Sequence, residues 1–443
     1  MASAAEQLAA NFNFKSFAKA TELRQRIFFT LGALIVARLG TYIPMPGIDP
    51  AALAQQLQQQ GGGLLDVFNV LAGGAIERMA IFALGIMPYI SASIIIQLMT
   101  TVFPELEALK KEGAAGQKVI NQYTRYGTVG LAALQAYGIA IGLEHWGNVV
   151  IEPGLFFRIS AVITLTGGTI LLMWIGEQIT SRGVGNGISL IIFAGIVARF
   201  PQMIGGVLEL GRQGAIPPLM LIFGIAFVVG LIGFIVYMER AQRRLLVQYP
   251  KRQVGNRMFG GESSHLPLKL NVSGVIPPIF ASSILLMPAT VANFNSSSIP
   301  DWLQTILTYV SHGSPLYLTL YALLIIFFTF FYTSIVFNPE ETADNLKKYG
   351  GFIPGIRPGK KTAEYIDYVL TRITVIGAAY LTVVCLIPEW LIYTYSIPFY
   401  LGGTSILIVV SVTMDTVAQI QSHLVAQQYE GLIKKARLRG ARR

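Results

Sequence analysis

Four histidines, His145, His265, His312 and His423, are the chain's natural candidates for proton transfer or metal ligation. None stands in a His-Glu-x-x-His pair, the spacing that sets two imidazoles on one helix face around zinc, and the Gly-x-Gly-Asp of an intramembrane protease is also missing. Each lies in a loop or near the end of an apolar run. The glycine-rich "RGVGNGISLII" over 182–192 invites a phosphate-binding reading, but it joins two apolar runs rather than a strand to a helix, and no Gly-x-x-x-x-Gly-Lys-[Ser/Thr] occurs. A tight hairpin entering a helix accounts for it better. An ion-coupled transporter would place carboxylates near the membrane middle, whereas Glu177, Glu239 and Asp415 fall towards span ends. Arg38 is the one deep charge, about 9 Å from Pro44 along a helix, within reach of snorkelling outwards or of a neighbouring helix. A hydrophobic, uncharged middle argues against a solute transporter or a protease. It suits a passage whose cargo brings its own chemistry.

The elements that must surround such a passage are membrane spans. The chain has 443 residues, 53% hydrophobic and 13% charged, with a mean hydropathy of +0.57, far from a soluble domain's composition. Apolar runs near the length that crosses a bilayer predict ten helices: 27–43, 79–103, 126–143, 155–175, 188–207, 216–238, 272–294, 316–337, 373–390 and 397–420. Arg199 and Pro201 interrupt the fifth. The start, 1–26, is polar without a basic-then-apolar signal layout, so the first span is expected to act as its own membrane signal. Cys385, inside the ninth span, is alone, which excludes a disulfide framework.

Most of the 33 Lys and Arg lie before the first span and after the even-numbered ones. The positive-inside rule then puts both termini in the cytoplasm. Two basic loops on that side, 239–271 and 338–372, exceed what topology needs. The second carries "FIPGIRPGKKT", whose Pro354, Gly355, Pro358 and Gly359 stiffen a tip presenting Arg357, Lys360 and Lys361. Such a tip suits a partner with phosphates or carboxylates. On the other face, Gly61–Gly63 and Gly73–Gly74 bracket an apolar piece too short to cross, which can lie on the outer surface or fold back as a stopper, the interfacial reading being the better one from its residues alone. Ten spans also allow an inverted repeat of five and five. Sliding "GIMPYISASIII" (85–96) by 189 residues pairs Pro88 with Pro277, Ile90 with Ile279, Ala92 with Ala281 and Ser93 with Ser282, although a one-residue shift matches nearly as well. Prolines and serines inside apolar runs imply broken helical hydrogen bonding and an interior, not lipid, environment.

"GIMPYISASIIIQLMT", "GEQITSRGVGNGISLIIFAGIV", "GVIPPIFASSI", "FNPEETADNLKKYGGFIPGIRPGKKTAEYID" and "PFYLGGTSILIVV" closely resemble the SecY/Sec61-alpha family of protein-conducting channels, over essentially the whole chain. The resemblance implies an all-α integral membrane protein, ten transmembrane helices in two inverted halves of five (27–215 and 216–420) around an hourglass pore, followed by a basic cytoplasmic tail at 421–443. It implies a pore ring of Ile86, Ile90, Ile188, Ile192, Ile279 and Ile408, branched apolar groups that can dewet and yet yield around a chain. It implies a plug over Leu64, Leu65, Asp66, Val67, Phe68, Asn69, Val70, Leu71, Ala72, Gly73, Gly74, Ala75 and Ile76. It implies a lateral gate with polar groups among Ser91, Ser93, Gln135, Ser282 and Ser283. Docking of the SecA motor ATPase or the ribosome is implied at Arg243, Arg244, Lys251, Arg252, Lys347, Lys348, Arg357, Lys360 and Lys361. Pro278 departs from the family pattern beside Ile279. The implied function is passage of unfolded, signal-bearing polypeptides across the inner membrane and release of apolar helices into its lipid. SecE and SecG would be small partner subunits, energy would come from the partner, and no cofactor or enzymatic step is expected.

Overall fold

The computed structural model describes residues 21–59, 69, 72–145, 149–214, 217–249, 252–254, 257–259, 263–294, 314–395 and 402–440. Its helices are α1 (Thr21–Gly40), α2 (Pro50–Gln59), α3 (Met87–Val102), α4 (Pro104–Lys111), α5 (Ala114–His145), α6 (Leu155–Arg182), α7 (Gly187–Arg212) and α8 (Pro218–Arg240), then α9 (Ile276–Phe294), α10 (Pro315–Val336), α11 (Pro339–Lys348), α12 (Lys360–Tyr395) and α13 (Gly403–Gly440). Between α8 and α9 lie four short strands, β1 (Gln242–Gln248), β2 (Arg252–Val254), β3 (Arg257–Phe259) and β4 (Ser263–Lys269). Every predicted span contains a helix, although several of the helices start or end inside the predicted bounds. Among the described residues, seven of these are long and apolar enough to cross a bilayer, or eight if α3 and α4, bent by 98°, count as one span. The first span, α1, carries Arg24, Arg26 and Arg38. α7 runs unbroken through Pro201, so the interruption expected there does not end the helix.

The chain divides into two compact units. One comprises 1–204, 290–299 and 412–443; the other comprises 205–289 and 300–411. In the first, α5 and α6 form an antiparallel hairpin. Ala132, Ala136 and Ala140, spaced by four and fully buried, form a narrow stripe on α5. Small residues let helix backbones approach where lipid offers no hydrophobic drive to associate. Ion pairs pin the hairpin at both ends: Arg125 meets both Glu177 carboxylate oxygens at 2.8 and 2.9 Å, and Arg158 holds Glu144 at 2.6 and 2.9 Å.

In the second unit the two long basic loops are not separate. β1 pairs antiparallel with β4, Gln242 opposite Lys269 through Gln248 opposite Ser263. Gln248 also exchanges backbone hydrogen bonds of 2.9 and 3.0 Å with Phe352, in the other loop. Leu245, Leu268, Ile353, Ile366 and Ile373 close a core beneath this hairpin. Each such burial contributes roughly 1.5–3 kcal/mol where water surrounds it. Asn338 opens α11 by accepting from the Glu340 and Glu341 amides, with Pro339 in the first turn and Lys347 and Lys348 in the last.

Candidate functional site

Residues 79–86, predicted as the start of the second span, are turns instead. Met79 (φ 42°) and Gly85 (φ 56°) lie in the left-handed region, which breaks a helix. The segment is tied to the exit of α1 through Ile81 N–H to Ile43 O (2.9 Å) and Met45 N–H to Met79 O (2.9 Å). Irregular backbone at membrane depth survives only inside protein, and Ala80 is fully buried with Phe82 at 2% exposure. Pro88 then falls in the first turn of α3, where its missing N–H has no carbonyl to meet. The broken hydrogen bonding expected inside this helix is absent, because the proline opens the helix.

The second unit repeats this start. Gly274 has φ 63°, and α9 begins two residues later, at Ile276. Left-handed glycine and helix start each recur 189 residues on, so the backbone selects that offset over its one-residue neighbour. Pro277 and Pro278 both fall in the first turn of α9 and remove no hydrogen bond from its interior.

The six isoleucines divide between the units. Ile86 immediately precedes α3, Ile90 lies one turn on with its N–H on the Ile86 carbonyl at 3.1 Å, and both are buried. Ile188 and Ile192 share one face of α7; Gly176 of α6 leaves the space that Ile188 fills. These four belong to the first unit, Ile279 in α9 and the buried Ile408 in α13 to the second.

The glycine-rich turn at 183–187 uses its own amides. Gly183 N–H bonds to Ile179 O (2.7 Å), Val184 to Thr30 Oγ1 (3.1 Å), Gly185 to Gln419 Oε1 (2.9 Å) and Gly187 to Thr180 Oγ1 (2.9 Å). Asn186 Oδ1 accepts from the Ile188 and Ser189 amides and caps α7. Those amides are engaged, so the turn is a structural clasp, not a phosphate cradle. A Cβ on Gly187 would stand 1.9 Å from the Gly176 carbonyl oxygen, which only glycine avoids.

Among the polar residues assigned to the gate, Ser91, Ser93 and Gln135 are half-buried. Ser282 and Ser283 spend their hydroxyls on their own helix, donating to Ile279 O at 2.9 and 2.7 Å. Gln97 is not in that expected set; its Nε2 donates to Ser93 Oγ at 3.5 Å and its buried Oε1 has no partner among the described residues. It lies one turn beyond Ser93, a spacing visible in the sequence.

Of the residues expected to form a plug, Asn69 and 72–76 are described; Leu64, Leu65, Asp66, Val67, Phe68, Val70 and Leu71 lie outside the described residues. Arg38 donates to the Gly73 carbonyl, and Arg199 pairs with Glu77 at 2.6 Å. Of the cations expected to dock a partner, Arg243 and Arg244 are exposed on β1 and Lys347, Lys348, Arg357, Lys360 and Lys361 around α11 and the start of α12; Lys347 lies beside Gly359, and Lys361 is paired with Glu364 at 2.7 Å. The shared core brings both loops into one basic surface. Lys251 and the side chain of Arg252 lie outside the described residues.

This fold is that of a polytopic protein-conducting channel: a solved structure of a protein conducting channel covers 91% of this chain and 93% of its own, with a TM-score of 0.65 and 17% identity. A second solved structure, of a SecY protein whose plug domain stabilises the closed state and maintains a membrane seal, matches over the same shares with a TM-score of 0.63. The SecY family model matches residues 80–417. A protein translocase subunit SecY of Rickettsia bellii is 58% identical over 97% of this chain and 99% of its own length. The chain belongs to the SecY family. It is accordingly a multi-pass channel subunit of a protein translocase and not an enzyme.

Proposed function

We propose that this chain forms, in the cytoplasmic membrane with both termini in the cytoplasm, the pore through which unfolded polypeptides pass and the gate through which apolar helices leave into lipid. The observation that carries the pore assignment is the repeated helix start. Two equivalent left-handed glycines, each two residues before its helix, make Ile90 and Ile279 the fourth residues of α3 and α9. Ile86, Ile188, Ile192 and Ile408 complete the ring, residues 64–76 are the plug, and Ser91, Ser93, Gln135, Ser282 and Ser283, with Gln97, line the gate. The halves 27–215 and 216–420 are the hinged bodies. SecE and SecG are its small partners. SecA or the ribosome docks on the basic surface and supplies the drive.

A disulfide test places the ring. With Cys385 replaced and one cysteine at Ile192 or Ile408, a stalled precursor carrying a single cysteine should cross-link only when the motor and a functional signal are present. Precursor that engages the complex but never cross-links at either position removes the ring assignment.

The docking surface has its own expected result. Reversing Arg357 and Lys360 to Glu should weaken motor or ribosome binding to proteoliposomes by roughly tenfold at low ionic strength, since charge pairs steer and register such contacts. The deficit should shrink as salt shortens the screening length from about 10 Å to about 3 Å. Equal affinity at low salt would remove the surface from the docking site.

A further inference from the structure

The chain leaves the plug through Gly73 and Gly74, both at positive φ, 66° and 84°. It passes so close to α7 that a Cβ on Gly73 would stand 2.9 Å from the Gly195 backbone and 2.7 Å from Arg38 Nη1. Two arginines from different helices hold this passage. Arg38 of α1 donates to the Gly73 carbonyl, and its other nitrogen reaches the Tyr42 hydroxyl at 3.3 Å. Arg199 of α7, 13% exposed, pairs with Glu77 at 2.6 Å. Asn69, 3% exposed, joins the two ends of the turn: its carbonyl accepts from Gly74 N–H at 2.7 Å and its side-chain oxygen from Glu77 N–H at 3.3 Å. Arg78 stacks over Tyr42 at 4.2 Å, and its buried Nη1 has no hydrogen-bond partner among the described residues.

We propose that Arg38 and Arg199, through Gly73 O and Glu77, are positioning residues that latch the root of the plug and set the free energy of displacing it; this rests on the plug reading above. Both contacts join the turn to helices that carry no plug residue, so both break when residues 72–78 move away from α1 and α7. Among the described residues, Glu77 is the carboxylate beside the guanidinium groups of Arg199 and Arg78, on the turn that Arg38 also holds. Neutralising it removes a charged hydrogen bond and takes the carboxylate away from the Arg199 guanidinium. The latch therefore yields when Glu77 is neutralised, as it does when either arginine is lost.

The test uses the intact complex purified with this chain, in proteoliposomes, and normalises every readout to the amount of complex. Glu77→Gln and Arg199→Gln should each raise ion conductance without precursor, and transport of a precursor with a defective signal, by roughly three- to tenfold; the half-exposed carboxylate keeps the effect at that scale. The reversed pair, Glu77→Arg with Arg199→Glu, should return both readouts towards the original, which a general loss of folding would not do. Arg38→Gln should act in the same direction. A parallel chain lacking residues 62–70 tests the plug itself. If that deletion raises both readouts while the single substitutions do not, or the reversed pair is no better than the singles, the latch is wrong and the plug reading stands. If the deletion changes neither, the plug reading falls first.

Discussion

Gly168→Ala is expected to remove most of the folded chain from the membrane, whereas Gly167→Ala, one residue earlier, should be nearly silent. A Cβ on Gly168 would stand 2.0 Å from the carbonyl oxygen of Ile81 and 2.9 Å from its carbon, while Gly167 has nothing within 4 Å. The obstacle is backbone, so no rotamer change relieves it. Nor can Ile81 retreat, because its N–H is bonded to Ile43 O at 2.9 Å and the neighbouring Phe82 ring fills the space where Gly40 lacks a side chain. Overpacking of this kind costs typically about 1–3 kcal/mol and more where relaxation is blocked, a large part of a marginal total. The readout is the amount of detergent-stable, protease-resistant complex and its thermal midpoint. Equal yield and midpoint for the two alanine variants would show that α6 does not bear on the 79–86 segment as described. The consequence reaches function, since this segment places Ile86 and the start of α3.

The second large effect concerns the seal. Ile90→Asn should raise precursor-independent ion conductance of proteoliposomes by about tenfold or more, because an amide retains water in a constriction whose closure depends on dewetting. Ile94→Asn, one turn further along the same helix and buried to 4% exposure, is the comparison. It buries an equally unwelcome amide and should lower stability, yet leave conductance per folded complex near the original. If both variants leak alike, leakage reports damaged packing and the ring assignment of Ile90 loses its support. If neither leaks, closure is carried elsewhere, with the plug and its latch as the next place to look.

The ten helices were legible in the sequence because a bilayer imposes the same demand on every span: enough consecutive apolar residues, with all backbone groups satisfied internally. That demand is independent of neighbours, so composition suffices, and the distribution of cations follows from the same boundary. Isoleucine at positions 86, 90, 188, 192, 279 and 408 was visible as residue type, but its assignment to a ring came from resemblance, since a buried isoleucine in a helix looks alike whether it faces a pore or a core. Tertiary structure decided what depends on partners distant in the chain. Residues 79–86 have the composition of a helix and are turns, because α1 and α6 supply the hydrogen bonds and enclosure that irregular backbone needs. The two basic loops became one body through the Gln248–Phe352 bridge and a core whose members lie more than a hundred residues apart. Arg38 was legible as a deep charge in need of a partner, and Arg199 as a break in an apolar run. Their partners, the Gly73 carbonyl and Glu77, follow only from which helices lie side by side, and no local property of the sequence encodes that adjacency.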